Sequence, residues 1–112
     1  MRGRTLPEVR TLIRDARAIA KAGVFAIVIE CVPATVGRRL TACVPVPTIG
    51  IGAGPGCDGQ ILVTHDLLGM FQDFTPKFAR RYAAVGAAMR RAFAAYRDDV
   101  VRGRFPAVAQ SY

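Results

Sequence analysis

The chain has 112 residues, 52% of them hydrophobic, and a formal net charge of +8. That length suits one small domain with a core, and the composition excludes a disordered or low-complexity chain. The longest apolar runs fall far short of the roughly 18 residues that a membrane span needs. The basic amino-terminal stretch lacks the apolar core and cleavage site of a secretion signal, so none is expected.

Cys31, Cys43 and Cys57 are odd in number and widely spaced. This argues against a disulfide framework and against a Cys-rich metal site, and a reduced, cytoplasmic setting is expected. Arginine dominates the positive charge. Arg10, Arg14 and Arg17 lie near the start, and Arg80, Arg81, Arg90, Arg91 and Arg97 near the end. A nucleic-acid binder would carry such a face. No recognition motif or interleaved aromatic platform accompanies it, so a solvated helix surface is the simpler reading, and neither a nucleic acid nor a membrane is an expected partner.

The first element is a helix. Thr5 and Glu8 have the spacing of a capping box, and Pro7 sits in the first turn, where its missing N–H does no harm. Leu6, Val9, Leu12, Ile13, Ala16, Ile19 and Ala20 then recur at helical spacing, and Gly23 suits the stop. The run Val24 to Ile29 with Glu30 is apolar without alternation, which predicts a strand covered on both faces, as in a parallel sheet. A short helix carrying Arg38, Arg39 and Leu40 is expected after Pro33, although Gly37 weakens it.

A second strand is predicted over 46–51. It runs into Gly50-Ile51-Gly52-Ala53-Gly54, and a loop through Asp58 leads to a third apolar run, Ile61-Leu62-Val63. From Pro76 to about Arg102 the pattern is helical, with a break near Gly86. Phe78, Tyr82, Val85, Met89, Phe93 and Tyr96 mark its expected buried side. The spacing between strands suits βα units, but three parallel strands do not close a barrel. They also leave bare edges, so the chain reads as incomplete by itself.

Four features could carry chemistry. Glu30 stands at the carboxyl end of a strand, where α/β folds place their active sites. Burial there would raise its pKa and suit it to accept a proton. A helix cap or an arginine pair is the alternative. The glycines from Gly50 to Gly54 would let backbone approach a ligand, a phosphate for example, or simply let strand and loop pack. They are not a dinucleotide fingerprint. His65 and Asp66 read as a local pair or helix cap before they read as acid, base or metal ligand. Asp58 reads as a turn residue. No two carboxylates have metal-site spacing.

Several motifs in order resemble one family. They are Ile29-Glu30-Cys31-Val32-Pro33, Val46 through Gly54, Cys57-Asp58-Gly59-Gln60-Ile61-Leu62-Val63, His65-Asp66, Pro76-Lys77-Phe78 with Tyr82, and Gly103-Arg104-Phe105-Pro106. Gly3-Arg4 fits the lead-in to the first helix. Together they are similar to ketopantoate hydroxymethyltransferase, a (β/α)8 TIM barrel of the phosphoenolpyruvate/pyruvate superfamily type. The resemblance implies that residues 1–112 are the carboxyl-terminal part of a single barrel domain, an α/β piece holding strands six to eight.

It also implies transfer of a hydroxymethyl group from 5,10-methylenetetrahydrofolate to 3-methyl-2-oxobutanoate, in pantothenate biosynthesis. Glu30 matches the proposed catalytic base. Val63 and Ile51 match substrate-binding positions. Magnesium serves the full-length family, but its ligands lie on earlier strands, so no metal ligand is expected in this chain. A homo-oligomer is implied for a full-length protein, and the isolated chain is expected to be inactive. Ala109 and Gln110 stand where the family carries Glu and His, which leaves the tail without an implied role.

Overall fold

In the computed structural model, residues 2–71 and 73–112 are described. They fall into two compact units, Met1–Leu62 and Val63–Tyr112. In the first unit the order is α1 (Leu6–Lys21), β1 (Ile27–Glu30), α2 (Ala34–Cys43), β2 (Thr48–Ile51) and β3 (Gly59–Gln60). The second holds α3 (Thr64–Leu67), α4 (Val85–Val101) and a 3₁₀ turn at Val108–Gln110.

Helix α1 begins as its sequence predicts. The Glu8 amide donates to Thr5 Oγ1 at 3.4 Å, and Glu8 Oε2 accepts from the amides of Thr5 at 3.2 Å and Arg4 at 2.8 Å. Three amides that have no intrahelical acceptor are thereby satisfied. These backbone donors hold the Glu8 carboxyl below its ordinary pKa, Arg4 contributing most and Thr5 next. Gly23 follows the last turn at φ +91°, a left-handed stop that glycine adopts without a Cβ clash. Val9 and Ala16 face inward, while Leu6 and Ile19 remain exposed.

The sheet is parallel throughout, in the order β1-β2-β3. Ile27 pairs with Thr48 and Glu30 with Ile51, and Ile49 pairs with Gly59. Paired residues of parallel strands share a face, and alternate residues change face. Ile27, Ile29, Thr48 and Gly50 therefore lie on the side covered by the helices. There Val9, Ala16, Ile29, Val32, Val36, Leu40 and Ala53 form the core. Val28, Glu30, Ile49 and Ile51 lie on the opposite side. The expectation of a first strand covered on both faces is corrected: Val28 is 55% exposed because no described residue of the unit covers it, although Ile51 on the same side is 7% exposed.

The strands are also shorter than expected. β1 starts at Ile27, β2 at Thr48, and β3 pairs at Gly59–Gln60, two residues ahead of the apolar run. An anchor sets this last register. Asp58 Oδ2 accepts from the Thr48 amide at 2.8 Å and from Thr48 Oγ1 at 2.9 Å, and Thr48 Oγ1 lies 2.8 Å from Thr41 Oγ1 on α2. A fully buried threonine thus has its hydroxyl satisfied. The two Thr48 donors, the amide first, hold the Asp58 carboxyl below its ordinary value.

In the second unit the long helix begins at Val85, not Pro76. The amides of Tyr82, Val85 and Gly86 donate to the carbonyls of Leu67, Leu68 and Gly69, at 2.8, 3.0 and 3.2 Å. Backbone donors taken by that turn cannot close an earlier helical turn. Gly86 is buried against the Met70 carbonyl, where any side chain would collide. The expected buried side is likewise corrected: Tyr82, ahead of α4, and Phe93 and Tyr96 on it are all more than half exposed, because each meets only part of a neighbour, Tyr96 touching Phe105 edge-on with ring centroids 5.4 Å apart.

Candidate functional site

Glu30 occupies the last position of β1. Its amide neighbours are fixed by the ladder, which continues one step further: the Cys31 amide donates to the Ile51 carbonyl at 2.9 Å. The carboxylate is exposed, which corrects the expectation that it is buried. The cause is the uncovered sheet face. Beside it, on the neighbouring strand, stands its register partner Ile51, 7% exposed. The two residues that the sequence singles out on β1 and β2 are therefore adjacent on one face, at the carboxyl ends of parallel strands. A carboxylate at the carboxyl end of a parallel strand is placed to accept a proton from a substrate bound there.

Val63 falls beyond β3, as the first residue of the second unit, and is 50% exposed. His65 lies in the short helix α3, with its ring 5.6 Å from that of Phe71. With Met70, Phe71, Gly86, Met89, Arg90 and Phe93 it lines an apolar cavity of about 280 Å³ within the second unit. Val63, the residue before α3, makes no side-chain cap. The arginines of α1 and α4 are exposed, as a solvated face requires. Their ion pairs, such as Arg14 with Asp15 at 3.2 Å and Arg97 with Asp98 at 2.9 Å, join sequence neighbours on the surface.

The glycine run is a packed crossover. Only residues 52–58 separate β2 from β3, far fewer than the dozen or so that usually join parallel strands. Gly52 and Gly54 adopt φ +64° and +76° to turn the chain so tightly. The run lies directly on α2. A Cβ at Gly37 would stand 2.5 Å from the Ala53 carbonyl oxygen, one at Gly56 would stand 2.9 Å from Arg38 Cβ, and one at Gly54 would collide with Ala34. Ala53 is fully buried. The packing role fits this geometry better than a loop open to a phosphate.

Gln60 belongs to the Cys57–Val63 motif, but sequence reading assigns it no role of its own. Its Nε2 donates to the Gly54 carbonyl at 3.0 Å, and its side chain fills the space left by Gly50. The signal was present in the register, since Gly50 and Gln60 are partners, but register is not visible in a single strand.

Among the described residues, no group of three His, Cys, Asp or Glu side chains could hold a metal ion. The residues present therefore do not fit a magnesium site. Cys31, Cys43 and Cys57 are free thiols. Among the described residues, no helix is long and apolar enough to cross a membrane.

Residues 1–108 match the family model described as ketopantoate hydroxymethyltransferase. The chain is 54% identical to the 3-methyl-2-oxobutanoate hydroxymethyltransferase of Moorella thermoacetica and 51% identical to that of Caldicellulosiruptor saccharolyticus. Each alignment covers 100% of this chain and 42% of the relative. The protein of the same name from Chelativorans sp. is 56% identical over 96 residues, covering 86% of this chain and 34% of its own length. The chain thus spans about two-fifths of the length of the curated relatives it matches. A family match over residues 1–108 and relatives at about 50% identity along the whole chain show that the chain belongs to the ketopantoate hydroxymethyltransferase family.

Proposed function

We propose that this chain supplies the base-carrying portion of an enzyme that moves a hydroxymethyl group from 5,10-methylenetetrahydrofolate to 3-methyl-2-oxobutanoate. One observation carries the reading: Glu30 ends β1 on the uncovered face, beside Ile51, within the family's motif. The Glu30 carboxylate takes the proton from C3 of the keto acid. The electron pair left on C3 forms the new carbon–carbon bond to the one-carbon unit; both bonds of that carbon to the folate nitrogens break, water supplies the hydroxyl oxygen, and tetrahydrofolate leaves with its two nitrogens protonated, one proton coming from C3 and one from the water. Ile51 and Val63 match the family's substrate-binding positions, and each is given that role on its motif alone. On this reading β1, β2 and β3 are the sixth, seventh and eighth strands of the barrel, and the complete protein is a cytoplasmic homo-oligomer. Magnesium supplies charge stabilisation to the keto acid in the complete family. No step is assigned to it here, because the residues of this chain do not fit its site.

The isolated chain is expected to be inactive, since its carboxylate faces no enclosed site. The test follows deuteration of C3 in 3-methyl-2-oxobutanoate in heavy water, with magnesium. The chain alone should show none. The chain joined behind the amino-terminal remainder of the Moorella relative should show exchange, and Glu30→Gln should lower it by roughly 10²–10⁴-fold, the usual worth of a general base. Exchange unchanged by Glu30→Gln would overturn the role given to Glu30. The uncovered face, with Val28 55% and Ile61 46% exposed, favours a second reading, a non-catalytic partner half. Binding to such a remainder without any exchange would support it.

A further inference from the structure

Cys31 is the one non-glycine residue with positive φ among the described residues, at +51°. Side chains on L-residues crowd the backbone in that left-handed region, so it persists only where the surroundings enforce it. Its consequence is visible in the burial pattern. Ile27 and Ile29 pack on the helix side of β1, and Val28 and Glu30 lie on the other side. Continued extension would place Val32 on the bare side with Glu30. Instead Val32 is 6% exposed and joins the helix-side core with Ile29, Val36 and Leu40.

The alternation therefore breaks at Cys31, after its amide has made the last ladder bond, to the Ile51 carbonyl. Glu30 is left as the one outward residue between two core anchors, Ile29 and Val32. An ordinary strand end would fray, whereas here the chain is held on both sides of the carboxylate.

We propose that Cys31 is a positioning residue: its left-handed backbone, and not its thiol, fixes Glu30 at the rim of the bare sheet face beside Ile51. The importance of that placement rests on the reading of Glu30 as the base, but the placement is tested without activity, so either can fail alone. The experiment uses the full chain, isotope-labelled, and compares cross-strand proton contacts by NMR at the two ends of β1. The Glu30–Ile51 contacts report the rim, and the Ile27–Thr48 contacts report the strand as a whole.

Cys31→Val puts a β-branched residue where φ is positive. It should lose the Glu30–Ile51 contacts and keep the Ile27–Thr48 contacts. Cys31→Gly and Cys31→Asn tolerate the left-handed region and should keep both sets, and Cys31→Ser should keep both because the thiol is not required. Retention of the Glu30–Ile51 contacts in Cys31→Val would overturn the proposal. If Cys31→Val loses all contacts, the permissive variants decide. Retention in Cys31→Gly and Cys31→Asn upholds the proposal, and loss of the Glu30–Ile51 contacts in either overturns it.

Discussion

Gly37→Ala sets two effects on α2 against each other. Gly37 is the fourth residue of a ten-residue helix. By helix propensity alone, alanine there should stabilise by about 0.8–1.0 kcal/mol. The tertiary contact opposes it. The new Cβ would stand 2.5 Å from the Ala53 carbonyl oxygen and 3.4 Å from Ala53 Cβ. The obstacle is backbone of a buried crossover, so it has no rotamer by which to yield, and α2 must move off the loop. Overpacking of this kind costs about 1–3 kcal/mol. The net expectation is a loss of about 0–2 kcal/mol, from a unit of about 60 residues whose whole stability is of order 3–9 kcal/mol. In urea, with a slope near 1 kcal/mol per molar, the midpoint followed by far-ultraviolet circular dichroism should fall by up to about 2 M. A midpoint that rises would show that α2 does not rest on the glycine crossover, and would refute the packing assigned to Ala53.

Four further outcomes are expected. Asp58 is held below its ordinary pKa of 3.8 by the Thr48 amide and hydroxyl. Its contribution is therefore complete above that value and is lost as pH falls through the lower folded value. Thr48→Val removes the hydroxyl donor, so acid unfolding of the variant should lose part of this dependence below about pH 4, and an unchanged acid limb would count against the anchor. Leu40→Ala opens a cavity in the first unit's core and should cost about 2–5 kcal/mol in a denaturant titration. Thr5→Ala removes one half of the capping box and should cost about 1 kcal/mol by the same measurement. Glu30→Gln, at an exposed position, should leave stability within about 0.5 kcal/mol even where it abolishes exchange. A large loss of stability would identify Glu30 as structural.

Local chemistry wrote several elements plainly into the sequence. Thr5 and Glu8 specify the start of α1 and Gly23 its end, because caps and left-handed stops depend on residues a few positions apart. The apolar run before Glu30 announces a parallel strand, and the motif around Glu30 announces the family. Glu30 was legible as a candidate because it ends an apolar strand, and Ile51 only through the family resemblance.

What the sequence did not show depends on partners distant along the chain. The start of α4 at Val85 follows from carbonyls of residues 67–69 taking the amides of Tyr82, Val85 and Gly86. The short β3 follows from the grip of Asp58 on Thr48, ten residues away. Gly37 looked like a weakness in α2 until Ala53 was seen to need the space of its missing side chain. The exposure of Glu30 depends on what covers a sheet face, which no window of sequence contains. Periodicity and capping determined which residues form helices and strands. Only tertiary structure decided where they stop, which face is bare and that Glu30 stands beside Ile51, because hydrogen-bond partners and steric neighbours come from elsewhere in the chain.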